Sequence, residues 1–123
     1  MELIGIIKEY SPEYKGKEYI KFKKKCNYDN KENILNYLQN GIPIAVTMQV
    51  VKSLIKDDLS IIGGITYLTD GYWIWPNYLS YYFDKESIEL PSKFIDFIYK
   101  NRKTVVDENK LEAINLLKQL IIK

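Results

Sequence analysis

Apolar and polar positions fall into short blocks along this chain, and their period changes between two and three-to-four from block to block. Residues 2–8 (ELIGIIK) are β-branched and end before the breaker Ser11-Pro12, which predicts a strand. Residues 17–24 (KEYIKFKK) alternate, with Glu18, Ile20 and Phe22 on one face and Lys17, Tyr19, Lys21 and Lys23 on the other. That pattern predicts a half-exposed strand. Asp29 or Asn30 then caps a helix over about 31–39. Ile34, Leu35 and Leu38 form its apolar stripe, and Gly41 stands where a left-handed cap residue belongs. Residues 42–48 (IPIAVTM) read as a buried strand. From Gln49 to Lys56 the spacing of Val50, Val51, Leu54 and Ile55 favours a short helix, with a continued strand as the alternative, and Gly63-Gly64 reads as a break.

Ile65 to Trp75 carries the clearest local pattern. Asp70-Gly71 between β-rich flanks predicts a two-residue hairpin with a type I′ turn, which needs positive φ at both positions. Thr69 then pairs with Tyr72, Leu68 with Trp73, Tyr67 with Ile74 and Thr66 with Trp75. One face carries Tyr67, Tyr72 and Ile74, the other Leu68, Trp73 and Trp75. Such a hairpin is either covered on both sides or shows an aromatic face to solvent. Pro76 suits the first turn of a helix over about 77–84 that turns Leu79, Tyr82 and Phe83 inward. Residues 87–90 are extended. Pro91-Ser92 opens a helix to about Arg102 on Phe94, Ile95 and Ile98. Asp107 caps a last helix over about 108–122 with Leu111, Ile114, Leu117, Leu120 and Ile121 as its stripe. Strands, helix, strand, hairpin and three helices in that order predict an α+β class. The expected architecture is an antiparallel or mixed sheet including the 65–75 hairpin, with helices packed on one side.

Composition narrows the chemistry. The chain has 123 residues, 46 % of them hydrophobic, which suits a single domain with one core. It holds no His and one Cys, so neither a His-based nucleophilic site, a His/Cys zinc site nor an internal disulfide can be built. Eighteen basic and sixteen acidic residues leave a net charge of +2, too balanced to point to nucleic acid or an anionic membrane. Residues Met1 to Gly5 lack the basic and apolar regions of a secretory signal, no run is long enough to span a bilayer, and a lone thiol fits a cytoplasmic setting. Eleven Tyr stand beside four Phe and two Trp. Ile, Lys, Asn and Tyr all have AT-rich codons, so part of the Tyr and Lys enrichment is a codon effect.

Several constellations carry both a chemical and a plain structural account. The run Lys21-Phe22-Lys23-Lys24-Lys25 could hold phosphates, but near-absence of Arg and the guarding of an edge strand by Lys favour a structural role. Asp57-Asp58, Asp84 with Glu86, and Asp107-Glu108 sit at predicted element ends, where capping explains them. Cys26 beside the Lys run has no second thiol or imidazole to work with. Around the hairpin, a binding surface would use Asp70, Tyr72, Trp73, Trp75, Tyr78 and Tyr81, because Trp and Tyr give rigid contact area at low entropy cost. The same rings serve equally as core filling.

Residues Thr69-Asp70-Gly71-Tyr72-Trp73-Ile74-Trp75-Pro76, with Leu79, Tyr81, Tyr82, Leu90-Pro91 and Phe94, resemble a TDGxWxWPxxLxYY…LPxxF motif of small bacterial proteins, some of them of the toxin-immunity type. The resemblance covers about residues 65–98. It implies a non-catalytic protein that binds a protein partner, such as a toxin, stoichiometrically, with no cofactor and no metal, and it carries over no catalytic residue. A small-ligand module with an aromatic pocket, and an enzyme using carboxylates and Tyr, are the competing expectations.

Overall fold

The computed structural model describes residues 2–14, 16–22, 28–100 and 110–120. Its elements run β1 (Glu2–Leu3), α1 (Tyr19–Phe22), α2 (Lys31–Gln39), β2 (Ile42–Lys52), β3 (Ile61–Thr69), β4 (Trp73–Pro76), α3 (Tyr78–Glu86), α4 (Ser92–Lys100) and α5 (Lys110–Leu120). The sheet is mixed and open, in the order β1-β4-β3-β2, with β1 parallel to β4 and the other pairs antiparallel. The class is α+β. No helix among the described residues is long and apolar enough to cross a membrane.

β4 is an inner strand, and that position explains why its sequence is apolar on both faces. Trp73, Ile74, Trp75 and Pro76 are all buried. On the Trp75 face lie α2 and α4: the indole Nε1 of Trp75 donates to the Leu38 carbonyl (3.0 Å), and Phe94 packs against both Trp73 and Trp75. The Tyr67 face is covered from the N-terminal segment and the start of α3. Tyr78 accepts a hydrogen bond from Ile7 N (3.0 Å) and meets the Tyr10 ring edge-on at 4.8 Å. Burying a side chain of the size of Ile74 contributes about 1.5–3 kcal/mol, so this two-sided strand anchors the fold.

The hairpin forms, but two residues out of the expected register. Thr69 pairs with Ile74, Leu68 with Trp75 and Tyr67 with Pro76, so the loop is longer than Asp70-Gly71. The side chains at its start set this. Asp70 Oδ1 accepts from the backbone N–H of Tyr72 (2.8 Å) and of Trp73 (2.7 Å). Thr69 Oγ1 accepts from Gly71 N (3.0 Å) and donates to the Trp73 carbonyl (2.7 Å). Gly71 alone has positive φ, so the turn is not type I′. A slip of two residues keeps every side chain on its face, which is why the two-face pattern survives the wrong pairing.

Other expectations are corrected. The strand at 2–8 ends after two residues, and the rest is a covered segment with one bridge between Ile7 and Lys17. Residues 19–22 form a helical turn, with Tyr19 and Phe22 buried three apart and Ile20 exposed, so the alternating strand over 17–24 does not form. Lys23 to Lys25 and Cys26 lie outside the described residues. Gln49 to Lys52 continues β2 rather than forming a helix. Gly63-Gly64 does not break the chain but lies within β3, where Gly63 takes φ +113°, accessible to glycine at little cost. Pro76 ends β4 instead of starting a helix. Asn77 follows it and prolongs the ladder with its side chain, accepting from Thr66 N (3.0 Å) and donating to the Gly64 carbonyl (2.9 Å).

The helices come closer to expectation. α2 has the predicted bounds and buries Ile34 and Leu38, though Asn30 makes no side-chain cap. α3 turns Leu79, Tyr82 and Phe83 inward and adds Tyr78. Its last turn closes on Ser87 with φ +47°, and Lys31 Nζ donates to the Asp84 carbonyl (3.0 Å) and to Ser87 Oγ (2.7 Å). α4 begins after Pro91 and buries Phe94 and Ile98. In α5, Ala113 and Leu117 are fully buried, while Leu120 is exposed. Arg102, Asp107, Glu108 and Ile121 lie outside the described residues.

Candidate functional site

Three regions hold the chemistry of this molecule: the turn at Asp70, a tyrosine cluster beneath the 53–60 loop, and the far end of the sheet. At the first, α2 brings Tyr37 over the turn. Its hydroxyl donates to Asp70 Oδ2, so the carboxylate, 1 % exposed, is held by two N–H groups and one O–H. Burial, then the hydrogen bond to Asp70 and its charge, push the Tyr37 hydroxyl well above its ordinary range, so it stays protonated. The Tyr37 ring stacks on Trp75 at 6.0 Å. Above this pair opens a cavity of about 280 Å³ lined by Asn33, Asn36, Tyr37, Asn40, Gly41, Asp70, Ile98 and Tyr99.

The second region is structural in its bonding. Tyr10 donates to the Lys52 carbonyl and shares a hydrogen bond with Tyr82, and Leu54 N donates to Tyr82 Oη (2.9 Å). Tyr81 donates to Asp58 Oδ2 (2.6 Å). Burial raises the hydroxyls of Tyr10, Tyr19, Tyr67, Tyr78 and Tyr82. Hydrogen bonds from Ser60 and Tyr81 hold Asp58 well below the usual carboxylate range. These bonds tie the 53–60 loop to the N-terminal segment and α3.

The six residues expected to form one aromatic surface are therefore divided. Trp73, Trp75 and Tyr78 are core, and Asp70 is buried in the turn. Tyr72 is exposed and lies against Phe97 at 4.9 Å, whereas Tyr81 is half-buried on Tyr82. No common aromatic surface results. Of the acidic pairs, Asp57 and Asp58 are in the 53–60 loop, Asp84 and Glu86 are in α3, and Asp107 and Glu108 lie outside the described residues. Among the described residues no group of three or more His, Cys, Asp or Glu could hold a metal ion.

No family model, no curated protein and no solved structure matches this chain.

The third region was not anticipated from the sequence. Val46, Met48, Val50, Leu59 and Ile61 are between 64 % and 97 % exposed. By register, Val46 lies opposite Thr66, Val50 opposite Gly64 and Ile61 opposite Lys52, which puts Val46, Val50 and Ile61 on the face that carries Leu68 and Trp75 further along. α2 and α4 cover that face at the tryptophan end, α5 also packs on β2, and Val46, Val50 and Ile61 at the other end are exposed. Gly64 adds no side chain there. Between Val46 and Val50, residues 47–49 bulge against Ile65 alone, and Met48 stands out at 97 % exposure. The sequence signal was the spacing Val46, Met48, Val50, which is equally the pattern of a buried strand face.

Proposed function

We propose that the protein is a non-catalytic binding module that holds a partner protein in a stoichiometric complex, in the manner of an immunity protein, through the bare apolar end of its sheet. The observation that supports it most is the grouping of Val46, Met48, Val50 and Ile61, with Leu59 two residues away, all exposed. Scattered apolar side chains are ordinary on a surface, whereas several exposed on one end of a sheet are the kind of grouping that marks an interaction site. A standard interface buries about 800 Å² per partner around a few apolar anchors, and an unbranched Met is an adaptable one.

The occupant is a different chain rather than a second copy. β2 is an edge strand, yet Pro43 offers no N–H and the 47–49 bulge interrupts its free edge. Both devices oppose continuous edge-to-edge pairing with an identical strand. Docking through side chains remains. The flanking Lys52, Lys56 and Asp57 are of mixed sign, and a net charge of +2 supplies no field for a strongly basic target. The partner surface is thus apolar and weakly charged. The immunity-type resemblance of residues 65–98 adds a toxin of the same bacterium as its class.

Parallel capture from source cells with the wild-type chain and with Met48→Lys tests this. One protein retained in equimolar amount by the wild type and lost with Met48→Lys supports it. Equal retention by both, or a purified homodimer that Met48→Lys splits, overturns it.

A further inference from the structure

At the opposite end of the molecule from the bare face, the cavity over Asp70 has a lining unlike a gap between helices. Three amides, Asn33, Asn36 and Asn40, recur at three- and four-residue spacing on one face of α2. Asn40 Nδ2 donates to the Asn36 carbonyl (2.7 Å), which leaves its Oδ1 as an acceptor. Among the described residues no hydrogen bond takes up the side chain of Asn33 or Asn36. On the floor, Asp70 accepts two bonds on Oδ1 and one on Oδ2 and is buried, so it contributes its charge rather than a free acceptor. Tyr37 spends its hydroxyl proton on Asp70 and keeps an acceptor lone pair. On the α4 side stands Tyr99, 41 % exposed, a ring with an accessible face, beside Ile98. Among the described residues that line the cavity the one charged group is the Asp70 carboxylate.

We propose that this cavity is a second, independent binding site, and that its ligand is a neutral saccharide unit. Vicinal hydroxyls need donors and acceptors side by side. The side-chain amides supply both, and the Tyr37 hydroxyl oxygen adds an acceptor. The C–H face of a pyranose ring packs on an aromatic ring, which Tyr99 provides. The negative charge of Asp70 beside the cavity disfavours phosphates and carboxylates. A volume of about 280 Å³ lies just below the range of drug-sized ligand pockets, roughly 300 to 1,000 Å³, and suits one sugar ring rather than a larger cofactor. The site shares no residue with the bare face of β2 and β3.

The test is NMR titration of the full chain with glucose, galactose, mannose and N-acetylglucosamine, with guanidinium chloride and sodium phosphate as charged comparisons. At least one sugar is expected to shift the amides of residues 33–41 and 98–100 saturably and to leave those of 44–52 in place. Asn36→Ala and Tyr99→Ala alter exposed side chains and keep the fold. Each is expected to weaken that binding by about tenfold, the worth of one net hydrogen bond or contact. Saturable binding of guanidinium or phosphate in place of every sugar, no shift with any sugar, or sugar shifts indifferent to both substitutions overturns the assignment.

Discussion

A Cβ on Gly41 would lie 2.6 Å from Cζ2 of Trp75 and 2.9 Å from Cβ of Leu68. Gly41, two residues past the end of α2, is glycine because the indole occupies the space a side chain needs. Its φ is not positive, so the left-handed cap expected at this position is not its role. Gly41→Ala is therefore expected to cost about 1–3 kcal/mol by overpacking. Urea denaturation followed by tryptophan fluorescence measures it, and an unchanged midpoint contradicts the packing account.

Asp70 sets the register of the β3–β4 hairpin. Asp70→Ala strips acceptors from two backbone N–H groups and from the Tyr37 hydroxyl in a buried place. It is expected to cost at least about 2 kcal/mol, since each lost bond to a charged group is worth about 1.5–3 kcal/mol. Asp70→Asn keeps an amide oxygen for the two N–H groups and is expected to cost less. Equilibrium unfolding of both variants gives the order, and equal costs would mean that the N–H bonds to Oδ1 carry no weight.

Those two positions also show what could be read from sequence and what could not. Asp-Gly between β-rich flanks announced a hairpin, and the period-two pattern placed its side chains on the right faces. The pairing itself was missed because the side chains of Thr69 and Asp70 bond to the loop, a tertiary-independent but unpatterned choice. α2, α3 and α4 were legible because their apolar spacing and breaks agree. Residues 19–22 were not, because Phe22 pairs with Ile20 at a strand's period and with Tyr19 at a helix's over so short a span. The site was hardest: Val46, Met48 and Val50 look alike whether a strand face is covered or bare, and coverage is decided by which helices pack on β2.

Buried tyrosines make stability depend on alkaline pH. In the unfolded chain a tyrosine ionises near pH 10. Burial raises the hydroxyls of Tyr10, Tyr19, Tyr37, Tyr67, Tyr78 and Tyr82, so the folded state holds protons that the unfolded state releases. Their contribution is full below about pH 10 and is lost as pH rises above it. Stability should be level on the neutral side and fall steeply above about pH 10, with these tyrosines ionising only as the chain unfolds. Tyrosinate absorbance and circular dichroism recorded in one titration check this. All eleven tyrosines ionising before the fold is lost would contradict it.

Met48→Lys and Val50→Lys test whether the bare face contributes to folding. Both side chains are exposed, so the substitutions are expected to change stability by no more than about 0.5 kcal/mol, and thermal unfolding measures this. A large loss would mean that the fold itself needs those side chains, and the surface could not be free for a partner.

Hydrogen exchange of the free chain against its captured complex tests the central claim most directly, because it locates the contact. Slower exchange on complex formation is predicted at amides 44–52 and 59–64, with 92–100 unchanged. Protection centred on α2 and α4 instead, with the β2 edge exchanging as in the free chain, would contradict a partner docked on the bare end of the sheet.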